Sequence, residues 1–238
     1  MNREEEITET YLKSLGLRGI VFEPDGNNPP DFSIEGRIAV EVRRLNQHFF
    51  TENEVQGLEE HQIPLFKLVE LCLHKFDSQY NGFSYWLSIR FHRPIDKGNI
   101  NKKAITRSLT DFLIKPYPLP CDVKVTESIY FHIWSSQAVQ GRVFRFAGGI
   151  DRESGGFVLA EFKKNFDHCV KEKTEKIKGY HERYNSWWLV LVDKIAYSFD
   201  EDEKKDIKSM VSVNPVWDKV IVLDGIKGKN ILEINKNI

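Results

Sequence analysis

The stretch Pro29-Pro30-Asp31-Phe32-Ser33-Ile34-Glu35-Gly36-Arg37-Ile38-Ala39-Val40-Glu41-Val42-Arg43-Arg44 decides how the chain is read. Two runs of alternating hydropathy flank a three-residue turn, Glu35-Gly36-Arg37, which predicts a β-hairpin. A turn of that length pairs Ile34 with Ile38, Ser33 with Ala39, Phe32 with Val40 and Asp31 with Glu41. Directly opposed residues share a face, and faces alternate along each strand. One face then carries Phe32, Ile34, Ile38, Val40 and Val42, which is wholly apolar and belongs to a core. The other carries Asp31, Ser33, Ala39, Glu41 and Arg43.

This second face brings two carboxylates together, with Cβ atoms about 5 Å apart. Like charges so placed repel, and one is driven toward protonation unless a cation lies between them. A hard divalent ion such as Mg²⁺ (or Mn²⁺) prefers such an oxygen cluster. Arg43, two residues beyond Glu41, adds a cation where an anionic substrate can meet it. Carboxylates, metal and cation together suit phosphodiester cleavage. A two-residue turn would instead put Asp31 and Glu41 on opposite faces, so the reading stands on the register. The plainer alternative is a surface hairpin with one wet face, the default in antiparallel sheets.

Outward from the hairpin, residues 4–15 have Ile7, Tyr11, Leu12 and Leu15 on one helical face, and Gly16 is a helix stop. Residues 19–23 are β-rich, and 24–30 are turn chemistry throughout. Helices are expected at 59–77, 101–114, 161–183 and 203–211. Strands are expected at 83–91, 127–134, 187–192 and 219–223. A second hairpin is expected from 142–146 and 157–160 around a glycine loop. The run 187–192 is continuously apolar, as in a strand buried on both faces. Strands and helices mix along the whole chain, which gives an α/β or α+β class.

Composition narrows the function classes. Of 238 residues, 41% are hydrophobic and 12% aromatic, enough for a buried core and too many for disorder. Lys and Arg number 34 against 35 Asp and Glu, a net charge of −1, which excludes a chain-wide electrostatic attraction to polyanions but not a local one. No apolar run reaches membrane-spanning length, and the first ten residues are acidic and polar, unlike a secretory signal. Three scattered cysteines, Cys72, Cys121 and Cys169, argue for a reducing, cytoplasmic setting.

The segment resembles the PD-(D/E)xK nucleases, a superfamily with the restriction-endonuclease-like fold. Pro30-Asp31 stands at the PD element and Glu41-Val42-Arg43 at (D/E)-x-K. The resemblance covers about residues 4–45 and extends to 161–193, where Lys171, Lys173 and Lys176 precede a buried strand. It implies one domain over 1–238, with a restriction-endonuclease-like mixed sheet core flanked by helices and a β-containing inserted subdomain at about 49–160. It implies a Mg²⁺-dependent nuclease acting on DNA, with Asp31, Glu41 and the carbonyl of Val42 on the metal. Glu5 of the first helix is the expected supporting carboxylate, with Glu9 and Glu6 in reserve. Arg43 replaces the family's lysine. An arginine cannot act as a base, because its pKa lies above about 12, but it can stabilise the phosphate bidentately. Homodimers are common among such enzymes. A relative that has lost cleavage and only binds nucleic acid, or an accessory protein of a defence or toxin module, would carry the same pattern.

Elsewhere, Arg90, Arg93, Lys97, Lys102, Lys103 and Arg107 set six cations against one acid, Asp96, and with Arg44 they are the expected nucleic-acid contacts. The lysines of 163–183 alternate with glutamates, so i,i+3 and i,i+4 pairing accounts for them. Cys72-x-His74 and His168-Cys169 lack the paired spacing of a zinc site.

Overall fold

The computed structural model describes residues 1–52, 54–96, 98–115 and 117–236. In chain order the elements are α1 (Arg3–Ser14), β1 (Ile20–Phe22), β2 (Phe32–Ile34), β3 (Ile38–Leu45), β4 (His48–Phe50), β5 (Val55–Gly57), α2 (Leu58–His74), β6 (Ser84–Phe91), α3 (Gly98–Ile114), β7 (Cys121–Lys124), β8 (Ile129–Ser136), β9 (Phe144–Asp151), α4 (Val158–Ile177), β10 (Ser186–Asp193), α5 (Glu201–Met210), β11 (Lys219–Asp224) and β12 (Asn230–Asn235). Helices and mixed sheets give an α/β protein. The chain divides into two units, Met1–His48 with Gly156–Ile238, and Phe49–Gly155. Among the described residues, no helix is long and apolar enough to cross a membrane.

The first unit is a six-stranded sheet in the order β1-β2-β3-β10-β11-β12. The β2–β3 hairpin has the expected register, Ile34 to Ile38, Ser33 to Ala39 and Phe32 to Val40. Its turn places Glu35 and Gly36 in the left-handed region, at φ 51° and 65°. β3 and β11 both run parallel to β10, which is therefore central. Helices cover both faces, so β10 has no wet side, and Trp187 and Leu189 through Val192 are fully buried. On one face Tyr11 and Leu12 of α1 pack on Phe32, Ile34, Val40, Val42, Val190 and Ile221. On the other, Phe162, Phe166, Cys169, Val170 and Ile177 of α4 and Ile207 of α5 pack on Ala39, Leu45, Trp187, Leu189 and Val220. Both faces of the hairpin are thus buried, and the face that carries Glu41 is roofed by α4.

The second unit holds a four-stranded sheet, β7-β8-β6-β9. Leu65, Val69 and Leu73 of α2 and Ile105, Leu109 and Phe112 of α3 pack on one face of it, against Leu87, Ile89, Phe131 and Ile133. The expected hairpin at 142–160 does not form. β9 runs through Gly148 and Gly149 and pairs parallel to β6, while residues from Val158 onward open α4. Gly149 marks close approach rather than a turn: a Cβ there would run into Cγ2 of Ile89 and lie 2.7 Å from its carbonyl oxygen. The helix expected at 161–183 ends at Ile177, and residues 181–183 form a separate 3₁₀ turn.

Candidate functional site

Asp31 occupies the bend just ahead of β2. Its Oδ2 accepts a hydrogen bond from the Val42 amide at 2.7 Å, and its carbonyl accepts from the Glu23 amide at 2.9 Å. The preceding turn is fastened to the chain beyond α4. The Tyr180 hydroxyl donates to Oδ1 of Asn28 at 3.1 Å, and Arg183 lies 3.5 Å from Asp25. Glu41 sits mid-strand in β3, opposite Leu189 of β10, and is fully buried.

Two ammonium groups from α4 meet these carboxylates. Lys173 Nζ lies 2.5 Å from Glu41 Oε2 and 3.5 Å from Asp31 Oδ2, while Lys176 Nζ lies 2.9 Å from Glu41 Oε2 and 3.7 Å from Asp31 Oδ1. The cation required between two like charges is supplied by the protein. Burial works against the charged form of Lys176, but the carboxylates of Glu41 and then Asp31 outweigh it, holding the ammonium above its ordinary pKa of 10.5. The lysines differ in freedom: the Lys173 side chain is 7% exposed and Lys176 42%. The other oxygen of Glu41, Oε1, is buried with no hydrogen-bond partner among the described residues.

Comparison of the chain with protein-family models, curated proteins and solved structures finds no match.

Of the residues expected at the site, Asp31 and Glu41 lie together and the rest do not all follow. Arg43 is on the same face, but its Nη2 is bound to Glu172 of α4 at 2.9 Å. Arg44 points to the opposite face, where Nε and Nη2 each lie 2.8 Å from Glu4 Oε1. Glu5 is not at the site. It is the third residue of a capping box, accepting from the Asn2 amide at 2.6 Å while its own amide donates to Asn2 Oδ1 at 3.0 Å. The inward glutamate of α1 is Glu4.

The basic stretch is likewise divided. Arg93 is no phosphate contact: it is buried, with Nη1 2.8 Å from both carboxylate oxygens of Asp151 and Nη2 donating to the Leu58 carbonyl at 3.0 Å. A buried guanidinium needs such partners. Arg90 is paired with Asp122. Lys102, Lys103 and Arg107 are exposed on α3. Lys97 lies outside the described residues.

Lys173 and Lys176, which the sequence pattern pairs along the helix surface, instead meet Glu41. The signal that places Lys173 otherwise is its position in the apolar stripe Phe162, Phe166, Cys169, Val170, Ile177. A lysine on the core face of a helix needs a buried anion. Asn165 breaks the same stripe and is also engaged, accepting from the His48 amide at 2.8 Å.

A divalent ion fits the donor chemistry. Asp31 and Glu41 offer hard oxygens, and Glu41 Oε1 is an acceptor with nothing to accept. No group of three or more His, Cys, Asp or Glu gathers among the described residues. Mg²⁺, though, is commonly held by one or two carboxylates with waters and substrate phosphates.

Proposed function

We propose that this chain is a metal-dependent nuclease with a restriction-endonuclease-like core, acting on DNA. The observation that carries the reading is the convergence of Asp31, Glu41 and Lys173 in one buried cluster at the hairpin, beneath α4. The order of helix, antiparallel hairpin, crossover helix and parallel central strand supports the same fold. The free thiols of Cys72, Cys121 and Cys169 support a cytoplasmic setting.

Asp31 and Glu41 would hold Mg²⁺ or Mn²⁺, which when bound polarises the scissile phosphate and lowers the pKa of a coordinated water. Lys176, the more exposed lysine, yields its place beside the carboxylates. Lys173 cannot leave, and its ammonium stays to bind a phosphate oxygen and offset the charge that grows there. It supplies beside the carboxylates an ammonium that Arg43, as an arginine, cannot. Arg43 is held by a half-exposed glutamate and can exchange Glu172 for a bidentate phosphate contact.

One observation favours a second reading. The two carboxylates and two ammoniums balance, as in a structural ion cluster of a nuclease-fold protein that only binds nucleic acid or a partner protein. Incubating the chain with supercoiled plasmid and with single-stranded DNA, in Mg²⁺, Mn²⁺ or EDTA, separates the two. The nuclease reading expects metal-dependent nicking, reduced at least about 100-fold in Asp31→Asn and in Lys173→Met. Binding without nicking supports the second reading, and neither binding nor nicking supports a protein-partner role.

A further inference from the structure

Within the second unit, and among the described residues, one face of the sheet carries no helix of that unit. α2 and α3 both pack on the side of Leu87, Ile89, Phe131 and Ile133. The other side carries Tyr130, His132 and Trp134 of β8, Trp86, Ser88 and Arg90 of β6, and Arg145 of β9, as the strand registers require. The outward side of such a sheet is ordinarily polar. Here it is a row of flat groups. Trp86 and Trp134 oppose each other with ring planes 22° apart and centroids 6.4 Å apart. His132 lies 5.4 Å from Trp134. The Arg145 guanidinium sits 3.8 Å above Trp86. All four side chains are partly exposed.

The composition of the face selects its ligand. Its two central strands, β8 and β6, present aromatic rings, an arginine and serines outward, and β9 adds the exposed Ile150 opposite Arg90. A protein interface core is also rich in aromatic rings and arginine, but it is depleted in charge, whereas here Arg90, Asp122 and Lys124 stand beside Tyr130 and His132. A duplex offers phosphates but hides its bases, and two of the three cations here are neutralised: Arg90 by Asp122, and Lys124 by Glu127 at 2.6 Å. Single-stranded nucleic acid offers unstacked bases for the rings and a phosphate chain for Arg145, the remaining cation.

We propose that the open face of this sheet, centred on Trp86, Trp134, His132 and Arg145, binds single-stranded nucleic acid by base stacking. The proposal concerns a surface separate from the Asp31–Glu41 cluster and does not depend on cleavage.

The test is fluorescence anisotropy of a labelled oligothymidylate of about twelve nucleotides, a length within the usual range for stacking platforms, titrated with the full chain in EDTA. Trp86→Ala and Trp134→Ala should each weaken binding by about tenfold or more, and Trp86→Phe and Trp134→Phe should recover most of it. Arg145→Glu, which leaves both rings in place, should also weaken it. Binding is read in EDTA, where no cleavage occurs, and nicking is read separately in Mg²⁺, so failure here and failure of the nuclease reading are told apart. The proposal is overturned if the alanine variants bind normally or if a duplex of equal length binds as tightly. It is also overturned if the variants instead convert a dimer to monomer in sedimentation, which would assign the face to a second copy of the chain.

Discussion

Glu41 is the residue on which the site turns, because it is buried, charged and shared by two lysines. Removing one partner of a buried ion pair leaves an uncompensated charge, so Glu41→Gln should cost about 3 kcal/mol in urea unfolding, mostly through the stranded Lys173. His168 gives a pH signature on the same helix. Burial, and then the neighbouring His48, hold its pKa below the ordinary 6.5. The unfolded chain then binds the proton more readily, and stability falls as pH drops through 6.5. His168→Gln should therefore flatten the stability profile between roughly pH 7 and pH 5, measured by the urea midpoint. The carboxylate pair was legible in sequence, because turn length fixes register and register fixes faces. The lysines were not, since a helix with alternating Lys and Glu reads the same whether it faces water or a buried acid. Only the place of Lys173 in the apolar stripe tells them apart.

At the scale of elements, two devices show how local sequence sets geometry. α1 begins at a reciprocal cap between Asn2 and Glu5. Asn2→Ala should destabilise the chain by about 1 kcal/mol. The same cap commits Glu5 to the helix start, a distinction that S/T/N-x-x-E spacing signals and that charge alone does not. β9 depends on Gly149, whose α-hydrogen faces Ile89 and Phe66. Gly149→Ala should cost about 1–3 kcal/mol by overpacking. Glycine-rich sequence suggested a loop here because a missing side chain looks the same whether it permits a turn or a close approach. β10 was the opposite case: its unbroken apolar run has one economical explanation, a strand with helices on both sides.

Over the whole molecule, the net charge of −1 conceals a division of labour. Pairs such as the buried Arg93 with Asp151 and Lys173 with Glu41, and the more exposed Arg90 with Asp122, tie up cations that linear charge counting treats as free to meet a polyanion. The chain also holds separate hydrophobic cores in its two units. Calorimetry of the full chain should accordingly show Gly149→Ala lowering a transition that Glu41→Gln leaves in place, and the reverse; one transition shifted alike by both would contradict this. The central claim remains that the Asp31–Glu41 pair takes up a divalent cation in competition with an ammonium. Manganese binding, measured by titration calorimetry on the wild type, Asp31→Asn and Lys176→Met, tests it directly. The account predicts one ion per chain, affinity lost in Asp31→Asn and strengthened in Lys176→Met, where the competing charge is gone. No binding, or binding indifferent to both substitutions, would contradict it and leave the cluster a structural ion network.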